Sequence, residues 1–210
     1  MVSSSVYGNE QLLNRVYATL SADYEVWMSH KGTVPLTRRA SALQSCLNAV
    51  DNCDVFVGII TGRYGSGRAK GQPSITHREM RRAVELDKLC YCLVHHHVEL
   101  ARQVLRPYRL PPTEGPFRRD EHGTLTPIAW PKGNSVLSDL EVLTMYEEMM
   151  REEVYFEERV DNWVQKYADD AEAITFLSAH QLSDTDRIRQ QLAEPTKPKP
   201  NPKPTKPGSR

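Results

Sequence analysis

Three groups of residues in the chain carry side chains suited to chemistry. The first is Gly62-Arg63-Tyr64-Gly65-Ser66-Gly67, which follows the apolar run Asp54–Thr61. Glycines let the backbone approach a ligand closely, and successive N–H groups can cradle a phosphate. Arg63 and Arg68 would add charge, and Tyr64 would offer a ring to a base or ribose. A plain Gly-rich turn fits the same residues. The order G-x-x-x-x-G-K-[ST] is absent, as is the dinucleotide-binding glycine fingerprint, so ATP hydrolysis is not supported. The second group is Ser3, Ser4 and Ser5, whose hydroxyls can hold ribose or phosphate. Ser29, His30 and Lys31 follow another β-rich run and offer ligand contacts or simply a solvated loop. The third group is Cys90, Cys92, His95, His96 and His97. Strand alternation puts Cys90, Cys92 and His96 on one face and His95 and His97 on the other. That split, with no C-x-x-C or H-E-x-x-H, argues against a metal. His95 or His96, at a strand end, could contact a ligand or move a proton; a satisfied structural histidine is the alternative.

Thr76-His77-Arg78-Glu79 reads as a capping box, in which Glu79 satisfies backbone donors at a helix start. The helix dipole there would favour its ionised form.

These residues need a scaffold, and the pattern around them supplies one. Residues 1–5 read as a short strand and 10–22 as a helix with Leu12, Leu13, Val16, Tyr17 and Leu20 on one stripe. Tyr24–Met28 is a β-rich run, and 41–52 is a helix. Asp54–Thr61 is near-continuously apolar, as a strand buried on both faces looks. A helix at about 76–88, a strand at Leu89–His95 and a helix at 97–107 follow. Strands alternating with helices of this length predict βαβ units, a parallel sheet and ligand-binding loops at the C-terminal strand ends. Those ends are Ser3–Ser5, Ser29–Thr33, Thr61–Gly67 and His95–His97. Residues 108–137 show no period and read as an irregular excursion or lid. Helical pattern resumes at Ser138-Asp139, a candidate cap, and continues to Val160. Trp163–Tyr167 alternates as a last strand, and 169–180 and 184–193 read as closing helices, the second capped by Asp184. The domains expected are therefore a core at 1–107, the excursion at 108–137, helical additions at 138–194 and a disordered Lys/Pro tail at 195–210.

Composition excludes several classes. Hydrophobic residues make up 39% and charged residues 26%, so wholesale disorder is not expected. The longest apolar run, Val55–Ile60, is far short of the ~20 residues of a membrane span. No signal peptide is apparent at Met-Val-Ser-Ser-Ser. Four cysteines do not make a disulfide scaffold at this length; reduced, buried thiols of a cytoplasmic protein are expected. The formal net charge is zero, but it divides into +5 over 1–137, −10 over 138–194 and +5 over the tail. The basic residues are scattered and no reading helix is evident, so nucleic acid is not an expected partner.

The stretch Cys53–Thr61, then Arg63-Tyr64-Gly65-Ser66-Gly67, then Ser74–Glu79, resembles the bacterial TIR-like family catalogued as domain of unknown function forty sixty-two. Val2–Ser5, Tyr24–Ser29, Leu93–His96, Ser138-Asp139-Leu140 and Asn162–Gln165 are similar to it as well. The segment 53–96 is the specific part. In place of the Asp-Leu and Glu-Arg pairs that many members carry after the first strand, this chain has Val6–Leu13. The resemblance implies a flavodoxin-like α/β sheet of order 2-1-3-4-5, with kinship to TIR domains and nucleoside deoxyribosyltransferases. It implies cleavage of a ribosyl C–N bond in NAD or a related nucleotide, as substrate or ligand rather than cofactor, in anti-phage defence or signalling. Glu79 matches the carboxylate those folds place at the start of the third helix. There it would stabilise an oxocarbenium-like centre or attack it, with Ser3, Ser4, Ser5, Lys31, Arg63, Tyr64, Gly65, Ser66, Gly67 and His95 around the ligand. A homo-oligomer or a partner effector would complete the cleft. A non-catalytic nucleotide-sensing or protein-interaction module is the alternative.

Overall fold

The computed structural model describes residues 1–67, 72–109, 117–119, 125–127, 136–155, 157, 159–182 and 184–194. Four strands, β1 (Val2–Ser4), β2 (Val55–Ile60), β3 (Leu89–His95) and, after a two-stranded antiparallel ribbon of β4 (Phe117–Arg119) and β5 (Leu125–Pro127), β6 (Asn162–Tyr167), build one sheet. All three pairings are parallel, in the order β1-β2-β3-β6. Helices α1 (Glu10–Leu20), α2 (Ala42–Asn52), α3 (Ile75–Glu85), α4 (His96–Arg109), α5 (Glu141–Met150), α6 (Asp170–Thr175) and α7 (Thr185–Ala193) flank it, with a π-helical turn, Phe176–Gln181, between the last two.

The period-2 pattern of β2 and β3 decides which helix lies where. Phe56, Ile60, Cys90, Cys92 and Val94 face a core with Val50 of α2, Met80 and Ala83 of α3, Val98 of α4 and the apolar side of α5. Val57, Ile59, Tyr91 and Leu93 face the opposite core, filled by Leu12, Leu13 and Val16 of α1, Ala173 of α6, Leu177 and Ile188 of α7. Both faces are therefore covered, as a parallel sheet requires. Helix starts follow short polar caps. Ser41 accepts from Gln44 N–H at 3.1 Å, Asp169 from Glu172 N–H at 2.9 Å and Asp184 from Arg187 N–H at 3.0 Å. All four cysteines are free and buried. Among the described residues no helix is long and apolar enough to cross a membrane.

Three expectations are corrected. Tyr24–Met28 is not a strand; beyond one backbone bond, Val2 N–H to Trp27 O at 2.9 Å, it follows β1 without a ladder. The helix predicted from Ser138 to Val160 stops at Met150, because Arg151 takes a left-handed φ of 51°. Its cap is also displaced: α5 begins at Glu141, whose N–H is held by Asp139 Oδ1 at 3.0 Å. Most of the 108–137 excursion, Arg68 and the 195–210 tail lie outside the described residues.

Gly62 holds the far part of the chain against the loop after β2. A Cβ there would stand 1.7 Å from the Val136 carbonyl oxygen. The close approach lets Ser138 N–H reach Gly62 O at 2.8 Å and Tyr64 N–H reach Ser138 Oγ at 3.0 Å. Gly62→Ala should therefore destabilise the fold by about 1–3 kcal/mol, whereas Gly8→Ala, with open space around it, should cost only its left-handed backbone strain. Urea denaturation of the two variants checks this; equal midpoints for Gly62→Ala and wild type would show that 136–138 does not dock there.

Candidate functional site

The C-terminal ends of β1 and β2 carry two stacked polar layers. In the lower one, Ser3 Oγ donates to Glu79 Oε2, and the Cys46 thiol of α2 bonds the same carboxylate. Ser3 and Glu79 are 2% and 4% exposed. Burial, partly opposed by the Ser3 and Cys46 hydrogen bonds, raises the Glu79 carboxyl above its usual range. Burial and then the neighbouring Glu79 push the Cys46 thiol up to about 12. In the upper layer, Ser5 Oγ lies 3.4 Å from Thr61 Oγ1, and Asn9 Nδ2 donates to Ser5 O and Thr61 Oγ1, each at 3.0 Å. Gly65 covers this layer with φ 89°; a Cβ there would lie 3.3 Å from Thr76 Oγ1 and 3.6 Å from Ser5 Cβ. Thr76 is one helical turn above Glu79 on α3, and Ser5 is two residues beyond Ser3. Gly65, Ser5 and Thr76 therefore roof the carboxylate.

The cap of α3 differs from the predicted one. Ser74 is the N-cap and accepts from His77 N–H at 3.3 Å. Thr76 lies inside the helix, so Glu79 is in its second turn, beyond reach of the first backbone donors. The carboxylate is free to bond Ser3 instead. The Thr-x-x-Glu spacing thus pointed to Thr76, two residues beyond the actual cap.

Tyr64 does not face a ligand. It is 3% exposed, and its hydroxyl lies 2.7 Å from His77 Nδ1. His77 Nε2 meets Glu148 Oε2 of α5 at 2.8 Å, and Arg81 grips Glu148 through Nε at 2.7 Å and Nη2 at 2.6 Å. Burial would raise the Glu148 carboxyl, but the His77 and Arg81 hydrogen bonds and charges outweigh it and hold it at about 2. This chain fastens the loop after β2, α3 and α5 together. His77, Glu148, Asn9, Thr61, Cys46 and Ser138 were missed as site residues, since each acts through a neighbour distant in sequence.

The remaining predicted residues are dispersed. Ser4 Oγ bonds Ser5 O at 3.2 Å. Arg63 lies over the exposed Tyr7 ring, 5.9 Å from its centroid. Ser66 and Gly67 are exposed at the loop tip, Gly67 at φ 76° against Ile75. Lys31 is held away from Glu79, over the Tyr17 ring of α1 at 5.6 Å. His95 ends β3, two strands from β1. The predicted split of the histidines is corrected: α4 starts at His96, so strand parity ends at His95 and the three imidazoles converge within 4.8 Å. A cleft of about 250 Å³ opens at the opposite sheet edge, between Met1, Trp27, Val55 and Leu192, and none of the predicted residues lines it.

The chain belongs to the family described as Domain of unknown function (DUF4062), whose model matches residues 1–111. No curated protein and no solved structure matches the chain.

The buried Glu79 and the half-buried Glu148 should titrate in opposite senses. Glu79 has a folded pKa above its ordinary 4.5, so the folded state holds its proton longer. Stability is full below that value and falls as pH rises through the folded pKa. Glu148, held at about 2, gives stability present above 4.5 and lost as pH falls toward 2. Melting temperatures should therefore show Glu79→Gln gaining on wild type as pH rises above 4.5, and Glu148→Gln converging with wild type as pH falls below it. Parallel curves for either variant would contradict that carboxylate's placement.

Proposed function

We propose that the chain is a TIR-like nucleotide N-glycosidase, with Glu79 as the catalytic carboxylate and NAD or a related nucleotide as substrate. One observation carries the reading: a carboxylate with no cation beside it among the described residues lies buried on a serine hydroxyl under a Gly-rich loop, at the C-terminal ends of parallel strands. A charge there costs several kcal/mol unless something compensates it. A cationic nicotinamide–ribose would provide that compensation, restoring the ionised form as it enters. Breaking the ribosyl C–N bond sends the electron pair out with nicotinamide and leaves an oxocarbenium-like sugar. Glu79 would stabilise that cation, and water would add to C1′ and release a proton. Ser3 orients the carboxylate. Entry requires Gly65, Ser5 and Thr76 to part, which assembly with further copies or an effector would drive. Anti-phage defence or signalling is the proposed setting and the cytoplasm the proposed location.

The roof favours a second reading, a nucleotide-sensing or protein-interaction module without chemistry, since Glu79 is 4% exposed. Nicotinamide release from NAD, followed at rising protein concentration, separates the two. Wild type should turn over, and Glu79→Gln should lose about 10²–10³-fold in rate while remaining folded, with a melting temperature no lower than that of wild type at the assay pH. Undiminished cleavage by Glu79→Gln would defeat the catalytic assignment. Calorimetric binding of NAD without turnover at any concentration would establish the sensing module.

A further inference from the structure

We propose that His95, His96 and His97 form a binding site for a divalent first-row transition ion of the zinc class. Among the described residues this is the cluster whose ligand atoms converge: one ring nitrogen from each lies within 4.8 Å of the others. The ring centroids stand 4.2–4.7 Å apart. The geometry follows from a change of period. His95 is the last residue of β3, and His96 and His97 open α4. A strand would send neighbours to opposite faces, but the turn into the helix gathers them at one edge of the sheet.

His95 is the anchor. Its Nδ1 accepts from His97 N–H at 3.3 Å, and its ring also hydrogen-bonds the Ala168 backbone. Together these fix the neutral tautomer, with Nε2–H on the Ala168 carbonyl and the Nδ1 lone pair on His97 N–H, so an ion taken up at Nδ1 displaces that long 3.3 Å bond. A carbonyl on the second nitrogen is how proteins orient an imidazole ligand and fix its tautomer. Tyr167 of β6 packs edge-on against the same ring, with centroids 5.2 Å apart and planes at 86°, so the anchor cannot swing.

His96 and His97 are exposed. Closing three nitrogens onto an ion at about 2.0–2.1 Å asks those two unhindered side chains to rotate and His95 Nδ1 to exchange the His97 N–H for the ion. Three imidazoles leave coordination positions open for water or a phosphate oxygen, and imidazole suits zinc, copper, nickel and cobalt rather than calcium or magnesium. The positive end of α4 opposes a cation, while the Asp170 carboxylate, which acts on His95, offsets it. This site is independent of the Glu79 reading.

Untagged, metal-free full chain titrated with zinc chloride in a calorimeter tests the proposal, with cobalt(II) as the spectroscopic probe. One ion per chain is expected, with visible cobalt bands of a low-coordinate site. His95→Asn should weaken zinc binding by about tenfold or more, as should the double variant His96→Gln/His97→Gln, whose exposed positions leave the metal-free melting temperature unchanged. Zinc affinity unaltered in the double variant, or in a folded His95→Asn, overturns it.

Discussion

Parallel strands joined by crossovers leave neither face of a sheet to water, and that constraint organises the whole chain. β2 and β3 must be apolar on both sides, so polar residues near the sheet centre can stand only where a helix answers them. Gly58 shows how tight the fit is: a Cβ there would press on Met80 Cε at 3.2 Å. Met80 and Glu79 are adjacent on α3. The close seating of Met80 over Gly58 brings Glu79 against Ser3, which pairs with Gly58 in the sheet. The carboxylate is thus inside the protein because the helix packs closely there, and the Ser3 and Cys46 hydrogen bonds are what make that burial tolerable.

The same constraint gathers chemistry at one edge. Strands in register finish together, so Ser5, Thr61, His95 and the residues after Tyr167 end on one side of the sheet. Ser5, Thr61 and Tyr167 are each followed by residues free of ladder bonds, whereas His95 leads straight into α4. Glycine in those loops acts as a spacer, but in two different senses. Gly65 lets the loop lie on Ser5 and Thr76, and Gly62 lets the chain's own residues 136–138 approach. Of the two, only the first borders the candidate site.

Much of the architecture was legible because it rests on period. DVFVGIIT could only be a doubly buried strand, and the stripe of Leu12, Leu13 and Val16 could only be a helix facing it. What was not legible depends on three-dimensional competition. Thr76 satisfies a capping-box pattern with Glu79, yet the helix begins one residue before it and Ser74 is the cap, which frees Glu79 for Ser3. Tyr24–Met28 has strand composition but only one bond from β1 to hold it. Arg151 carries no signal of left-handed backbone, so the end of α5 is invisible until Val154 and Asn162 are seen returning the chain to β6. In the site, Ser3 and Glu79 were named from the sequence and do meet, whereas Lys31 and Tyr64 were named for their chemistry and are occupied elsewhere.

The fate of Tyr64 explains how the roof over Glu79 is held. A tyrosine in a Gly-rich loop suggests stacking on a ligand, yet its hydroxyl is committed to His77, and His77 to Glu148. The far partner, Glu148, is clamped by two nitrogens of Arg81, so it cannot yield without leaving Arg81 half-satisfied. Tyr64 and Ser138 together pin the start of the loop, and Ile75 N–H donates to Ser66 O at 3.3 Å beyond it. Gly65 lies between these two holds, so its place over Thr76 and Ser5 is set by bonds on both sides of it.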